Sequence, residues 1–372
     1  MQPKTSAQTN GQPDKVIRYS PPEIGKTVSV SFYLHQPHSI VSPTLEKKKS
    51  ALLVVDGSLD KAKTDYVVFL LKKQLDNIHI LNIGYGPKNL ARVKQIWTSM
   101  LKVHPDVAVA LGGGTTCDLV GFASSCYHRG LDCILFPTTL LSMVDACIGG
   151  KTGIDFGGVK NSIGQVHYAV ESHCIFPFLD SLNQEELISG FSEVIKAAML
   201  FDENLLQSIE KLEGSFNLGQ DWFSVVSRGA ELKAHFSEQP FSQRSKLLYG
   251  HNIGHGLETL SSIHRRHGDC VAVGMSYELA IGVVSGLVKR EVWERQNKIL
   301  KKFKLPTQLP ANASFAKMKE KMRKYKLYKD DAYLFVIPER PGVIIEDGSG
   351  YYCRLSEKQL DTTFKEVNKL LI

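Results

Sequence analysis

From residue 50 onward the chain alternates between two periodicities, and this alternation restricts the fold more than any other feature. Residues 51–56 (ALLVVD), 78–83 and 107–111 are short apolar runs with strand chemistry, whereas 61–73 and 88–101 space their apolar residues as helices do. Strand, helix, strand, helix, strand predicts a parallel sheet covered by helices, since parallel neighbours need a crossover long enough to hold one. Ligands of such sheets sit beyond the carboxyl ends of the strands. Asp56 and the turn Gly112-Gly113-Gly114 both fall there.

After Pro177 the pattern changes. Residues 184–200, 203–212, 222–236, 245–263, 271–288 and 291–302 all read as helices, followed by 314–324 and an apolar run at 332–337. The predicted fold class is therefore α/β, with an N-terminal parallel-sheet domain over 15–180 and a mostly α-helical domain over 181–372. Residues 1–14, rich in Gln, Thr, Pro, Ser and Asn, read as a disordered tail.

At 372 residues, two domains are the expected division. The net charge of +7 raises the question of nucleic acid, but the basic residues are dispersed. The densest run, Lys47-Lys48-Lys49, precedes a strand and reads as a solvated loop. A small anionic substrate uses the excess equally well, so no nucleic acid is expected. No apolar run reaches the roughly 18 residues of a membrane span, so no membrane is expected either. Seven cysteines without a CxxC pair, behind an N-terminus lacking an apolar leader, read as reduced thiols of a cytoplasmic protein.

Three local patterns carry chemistry. Leu111-Gly-Gly-Gly-Thr-Thr-Cys-Asp118 follows a strand and opens a helix, where glycines let backbone N–H groups approach a pyrophosphate; a plain tight turn gives the same letters. His251 and His255 lie four apart, on one face of a helix. They read either as two metal ligands or as one ligand and one substrate contact. A carboxylate such as Glu193 with two or three imidazoles, His267 among them, suits zinc with positions open to substrate oxygens. Glu193 and Lys196, at i and i+3, lie in the largely apolar stretch 190–200, which favours a polar pocket over a surface ion pair.

Taken in order, the stretches 111–123 (LGGGTTCDLVGFA), 127–130 (YHRG), 136–156 (FPTTLLSMVDACIGGKTGIDF), 160–164 (KNSIG), 190–197 (GFSEVIKA), 249–259 (YGHNIGHGLET) and 267–276 (HGDCVAVGMS) resemble the sugar phosphate cyclases, the family of 3-dehydroquinate synthase. The resemblance covers roughly residues 50–340 and implies an N-terminal NAD-binding domain followed by a helical metal-binding domain. It implies Glu193, His251 and His267 as ligands of zinc, with cobalt as a possible substitute. Gly112, Gly113, Gly114 and Asp118 become NAD contacts, with Thr138, Thr139 and Lys88 near the cofactor and Asp56 at the adenosine ribose. Lys151, Asn161, Lys196 and His255 correspond to the phosphate side, and Arg129 to a residue lent by the neighbouring subunit of a homodimer. Asp145 and Lys233 would meet substrate hydroxyls, and Arg244 and Lys326 a carboxylate.

The implied reaction turns a phosphorylated sugar into a carbocycle: transient oxidation by NAD, elimination of phosphate, return of the hydride and aldol closure, with no net oxidation. Three features depart from the family, one being a segment between Lys233 and Arg244 shorter than in the typical enzyme. Leu248 stands where a polar residue precedes the first metal histidine, and no acid accompanies Lys88 in Gly84-Tyr-Gly-Pro-Lys-Asn89. Arg244 and Lys326 favour a heptulosonate phosphate, as in dehydroquinate formation. Leu248 and Tyr249 lean toward a glucose-6-phosphate cyclase making 2-deoxy-scyllo-inosose. A metal-dependent NAD polyol dehydrogenase is the alternative class, and the phosphate-side cations argue against it.

Overall fold

The computed structural model of the chain describes residues 11–84, 86–157, 159–260, 265–345 and 353–371. Two compact units emerge. The first comprises Met1–Leu182, Leu218–Phe223 and Lys233–Glu238, and the second Asn183–Asn217, Ser224–Leu232 and Gln239–Ile372.

The first unit is built on a seven-stranded sheet formed by β1 (Lys15–Tyr19), β2 (Val28–Tyr33), β3 (Ser50–Asp56), β4 (Asn77–Ile83), β5 (Val107–Gly112), β6 (Cys133–Pro137) and β9 (Glu171–Ile175). Their order is β1-β2-β9-β6-β5-β3-β4, with only the β1–β2 pairing antiparallel. Helices α1 (Lys61–Leu71), α2 (Leu90–Val103) and α3 (Gly114–Cys126) make the crossovers. Every residue of β5 is buried, as a central parallel strand requires. Asp60 and Asn89 fix the starts of α1 and α2 by accepting the N–H of Ala62 (3.1 Å) and Arg92 (3.2 Å). Outside this sheet, β7 (Lys151–Phe156) and β8 (Val159–Val166) form an antiparallel hairpin whose second strand is exposed almost throughout.

Most of the expected tail, residues 1–10, lies outside the described residues. At its end, however, Asp14 is tied down: its N–H donates to Phe32 O (2.9 Å) and its carboxylate accepts from Leu34 N (2.7 Å). Strand pairing of β1 with β2 therefore begins right behind the expected boundary.

The second unit contains α4 (Gln184–Phe201), α5 (Glu203–Lys211), α7 (His251–Glu258), α8 (His267–Val284), α9 (Arg290–Lys302), α10 (Phe315–Met322) and α11 (Glu357–Leu371). Between α5 and α7 runs α6 (Gln220–Phe236), whose two ends belong to the first unit and whose middle belongs to the second. Lys233, expected in the helical domain, thus lies in the first unit. Strands β10 (Tyr328–Lys329), β11 (Ala332–Phe335) and β14 (Cys353–Ser356) form a small antiparallel sheet, and β12 (Pro338–Arg340) pairs with β13 (Val343–Ile344). Helix α8 is buried on all sides along most of its length, which makes it the axis of this unit.

One predicted helix is corrected. Residues 245–263 do not form a single helix: a 3₁₀ segment, Phe241–Leu248, ends before Tyr249, and α7 starts anew at His251. Gly250 stands between them at φ +75°, a left-handed conformation that costs glycine little and breaks the helical path. The predicted end, Ile263, lies outside the described residues, and α8 starts at His267, ahead of the predicted 271.

Candidate active site

In the first unit, the sheet changes its direction of winding between β3 and β5. Helix α1 leads from β3 outward to the edge strand β4, whereas α3 leads from β5 the other way, to β6. Such a reversal leaves a crevice at the carboxyl ends, where ligands of open sheets bind. Asp56 ends β3 there, and Gly112 ends β5. A Cβ on Gly112 would sit 2.7 Å from the Thr116 side chain and 3.0 Å from Asp56 Cβ, so only glycine fits. Gly113 is the N-cap of α3 and offers no side-chain acceptor, so no cap side chain takes up the first amides of the helix.

Asp56 is held in place: its carboxylate accepts from Ser58 N (3.0 Å), Ser58 Oγ (2.7 Å) and Thr116 Oγ1 (3.3 Å). Thr138 is buried and donates its N–H to Gly112 O (3.0 Å), while Thr139 exchanges hydrogen bonds with Ser142. Asp118 forms an ion pair with Lys88. Burial raises the Asp118 carboxyl above its usual range, and the Lys88 ammonium works against that shift.

Asp145 lies in a single π-helical turn, Ser142–Ala146, and meets the ammonium of Lys233. Burial pulls that ammonium down to about 7, with the Asp118 carboxylate opposing the shift. Lys233 therefore changes charge near neutrality. Lys151 opens β7 and Asn161 lies on β8, both exposed on the hairpin; Arg129, also exposed, ends a 3₁₀ turn, Tyr127–Arg129, whose Tyr127 is buried. Asn161 (φ 52°) and Arg129 (φ 68°) both hold a left-handed backbone. That conformation costs a non-glycine residue on the order of 1–3 kcal/mol and concentrates at functional sites.

In the second unit, three elements bring Glu193 (α4), His251 (first residue of α7) and His267 (first residue of α8) together. One ligand atom from each lies within 4.8 Å of the others. Glu193 Oε1 is 4.0 Å from His251 Nε2 and 3.8 Å from His267 Nε2. This oxygen is buried and has no hydrogen-bond partner among the described residues, a costly state unless a cation takes it up. The other carboxylate oxygen is paired with Lys196, itself buried. His251 Nδ1 donates to Tyr249 O (3.0 Å), leaving Nε2 as its lone-pair nitrogen. Burial, with the charge of Lys196 next, holds this imidazole well below its usual pKa, hence neutral. An acid and two imidazoles of this kind fit a zinc-type ion, and the 27 % exposure of the His267 side chain keeps one side accessible.

His255 lies beside this group rather than in it. Its ring centroid is 5.3 Å from that of His251 and 5.7 Å from that of His267, and Tyr325 lies against it at 4.7 Å. Arg244 is buried in the 3₁₀ segment with Nε donating to Gln239 O (2.9 Å), and Lys326 is exposed next to Tyr325. Leu248 is buried. Tyr249, read from sequence as a hint of substrate branch, turns its hydroxyl into the core, donating to Gln296 Oε1 (2.5 Å) with Met275 O 3.2 Å away. It supports α7 through its carbonyl and says nothing of substrate.

Sequence reasoning missed the residues that hold α7 in place. Glu278 of α8 accepts the N–H groups of Gly250, Asn252 and Ile253 (2.8, 3.0 and 3.2 Å), so a side chain 28 positions away caps the helix. Asn252, buried, donates to Leu334 O on β11 (2.8 Å). Glu258 accepts from His267 Nδ1 (3.1 Å). Glutamate at three positions after His255 was the only available signal, and nothing local marks it.

Two adjoining family models match this chain: 3-dehydroquinate synthase N-terminal over residues 79–189 and 3-dehydroquinate synthase C-terminal over 190–327. The chain belongs to the 3-dehydroquinate synthase family. The 3-dehydroquinate synthase of Helicobacter pylori (strain G27) is 33% identical over 267 residues, spanning 71% of this chain and 78% of that protein. Among solved structures, 2-deoxy-scyllo-inosose synthase complexed with carbaglucose-6-phosphate, NAD+ and Co2+ superposes with a TM-score of 0.80 at 18% identity, covering 95% of this chain and 98% of that one. ValA (2-epi-5-epi-valiolone synthase) from Streptomyces hygroscopicus subsp. jinggangensis 5008, with NAD+ and Zn2+ bound, gives 0.76 at 20% identity, covering 89% and 96%. At these identities the two structures speak for the fold, an α/β unit with a helical C-terminal part.

Proposed function

We propose that the chain is a sugar phosphate cyclase of the 3-dehydroquinate synthase type, a lyase that eliminates phosphate from a phosphorylated sugar and closes a carbocycle. The observation that carries this is the buried, unpartnered Glu193 Oε1 facing the lone-pair nitrogens of His251 and His267. A relative of the same family, 33% identical, is a 3-dehydroquinate synthase.

In this reading Glu193, His251 and His267 hold zinc, with cobalt able to replace it. Gly112, Gly113 and the first amides of α3 receive the NAD pyrophosphate, Asp56 its adenosine ribose, and Asp118, Lys88, Thr138 and Thr139 surround it. When bound, the metal lowers the pKa of substrate hydroxyls and NAD takes and returns a hydride. The chain's own residues do the rest. Lys196 balances the Glu193 charge, and Asp145 and Lys233 bind hydroxyls. With its pKa pulled down to about 7, Lys233 can pass a proton at neutral pH. Lys151, Asn161 and His255 engage the phosphate, completed by Arg129 of a neighbouring subunit. Elimination would move the proton beside the ketone to a phosphate oxygen, turn the C–H electron pair into a C=C bond and let the C–O pair depart with the phosphate.

Arg244 and Lys326 supply the charge to bind a substrate carboxylate. Homodimer formation is supported by the exposed apolar residues Phe156, Val159 and Ile163 on the hairpin that carries Asn161. Cys117, Cys126, Cys133, Cys147 and Cys174 are free thiols, which supports a reducing, cytoplasmic setting. No described helix is long and apolar enough to cross a membrane.

Buried Leu248 favours a second substrate, because it can form no hydrogen bond to a hydroxyl there. The test is phosphate release by zinc- and NAD-loaded protein from 3-deoxy-arabino-heptulosonate 7-phosphate and from glucose 6-phosphate. Release from the heptulosonate supports the dehydroquinate reading. Release only from glucose 6-phosphate moves the chain to the 2-deoxy-scyllo-inosose branch and removes the carboxylate role of Arg244. Net NADH production without phosphate release would instead support a polyol dehydrogenase.

A further inference from the structure

One carboxylate oxygen stands behind two of the three clustered imidazoles. Glu258 Oε2, at the end of α7, lies 3.1 Å from His267 Nδ1 and 3.5 Å from His255 Nδ1. The Glu258 side chain is only 8% exposed, so water does little to screen it. An ionised carboxylate accepts but cannot donate. Where it faces a ring nitrogen, that nitrogen carries the proton.

We infer that Glu258 is the positioning residue that fixes His267 and His255 together, setting both rings as Nδ1–H tautomers. The consequences for the two rings differ. For His267 the lone pair moves to Nε2, the atom that faces Glu193 Oε1 at 3.8 Å, which is what a metal ligand requires. For His255 it makes Nε2 the ring's proton-accepting nitrogen, on a ring held by Tyr325 at 4.7 Å between centroids. Because both rings answer to one oxygen, the ligand and the neighbouring substrate-side histidine are set by a single side chain. A backbone carbonyl does the corresponding work for His251. The carboxylate also adds a charge-assisted hydrogen bond, which makes the His267 imidazole a stronger donor to a metal.

The inference rests on Glu193, His251 and His267 being the metal centre, and its test separates the two ideas. Protein labelled with ¹⁵N-histidine, free of metal, is examined by long-range ¹H–¹⁵N correlation, which tells Nδ1–H from Nε2–H rings. His255 and His267 should both be Nδ1–H in the wild type; an Nε2–H ring at either position overturns the inference. In Glu258→Met, which removes the acceptor while keeping the length, both rings should lose that preference. Zinc affinity, measured by competition with a chelator, should fall about 10- to 100-fold. Glu258→Gln, which retains an acceptor oxygen without the charge, should fall between the two. A Glu258→Met protein that binds zinc as the wild type does overturns the inference. If that variant fails to fold, the wild-type tautomers and Glu258→Gln still decide. A wild type that takes up no zinc defeats the metal centre instead, while its tautomer spectrum still reports on Glu258.

Discussion

Glu278 Oε2 accepts the N–H of Gly250 at 2.8 Å, while Oε1 takes those of Asn252 and Ile253. A carboxylate in the middle of one helix therefore serves as the N-terminal cap of another, the short helix that begins with His251. Three buried amides depend on it, and none has a local side-chain substitute, since Gly250 is the N-cap.

Glu278→Ala should therefore lower stability by about 2–4 kcal/mol, the cost of stranding buried donors. Glu278→Gln, which still offers one acceptor oxygen, should lose about 1–2 kcal/mol. Urea unfolding measures both. A loss within 0.5 kcal/mol for the alanine variant would show that α7 does not need this cap.

At the carboxyl end of β5, Gly112→Ala puts a methyl 2.7 Å from Thr116 and 3.0 Å from Asp56 Cβ. Overpacking of this kind costs about 1–3 kcal/mol, and the displaced Asp56 should weaken NAD binding as read by fluorescence titration. Gly84→Ala is the control for stability, because a Cβ there meets nothing within 4 Å. It should unfold within about 0.5 kcal/mol of the wild type.

If Glu193, His251 and His267 hold zinc, free ion at 100 times its dissociation constant should stabilise the folded chain by about 2.7 kcal/mol. The melting temperature should rise with zinc and fall back when a chelator is added. In Glu193→Gln combined with His251→Ala the rise should vanish. A double variant that still responds to zinc in full would place the ion elsewhere.

Lys233 gives a pH signature. Its folded pKa, about 7, lies below the unfolded 10.5, so between those values the unfolded chain binds the extra proton. Stability contributed at this position must then rise with pH across that window. Lys233→Met, with nothing to titrate, should show a flatter dependence between pH 7 and 9 in urea melts. The same variant should lose the limb near neutrality in the pH profile of phosphate release. Identical slopes for both proteins would mean that Lys233 keeps an ordinary pKa.

The parallel sheet was legible because β3, β4 and β5 each announce themselves as an apolar run, and the runs are separated by helical spacing. The hairpin of β7 and β8 was not, since β8 is solvent-exposed along its length and exposed strands need no apolar pattern. The break at Gly250 was hidden for a different reason. Helical spacing runs on through 245–258, and what ends the first piece is a backbone angle supported by Glu278 on another helix. Glu193, His251 and His267 could be singled out because metal chemistry draws on few residue types. Glu258 and Asn252 could not, because their roles are set by partners 9 and 82 positions away.

Asn252 has a further consequence. Its amide donates to the carbonyl of Leu334 at 2.8 Å, so the residue following His251 is fastened by a strand beyond residue 327, where the family match ends. A chain cut short before that strand keeps Glu193, His251 and His267 but leaves the buried Asn252 amide without its acceptor, next to His251. If Glu193, His251 and His267 hold an ion, its capture therefore depends on a strand that lies 81 positions or more beyond His251 and outside the family match.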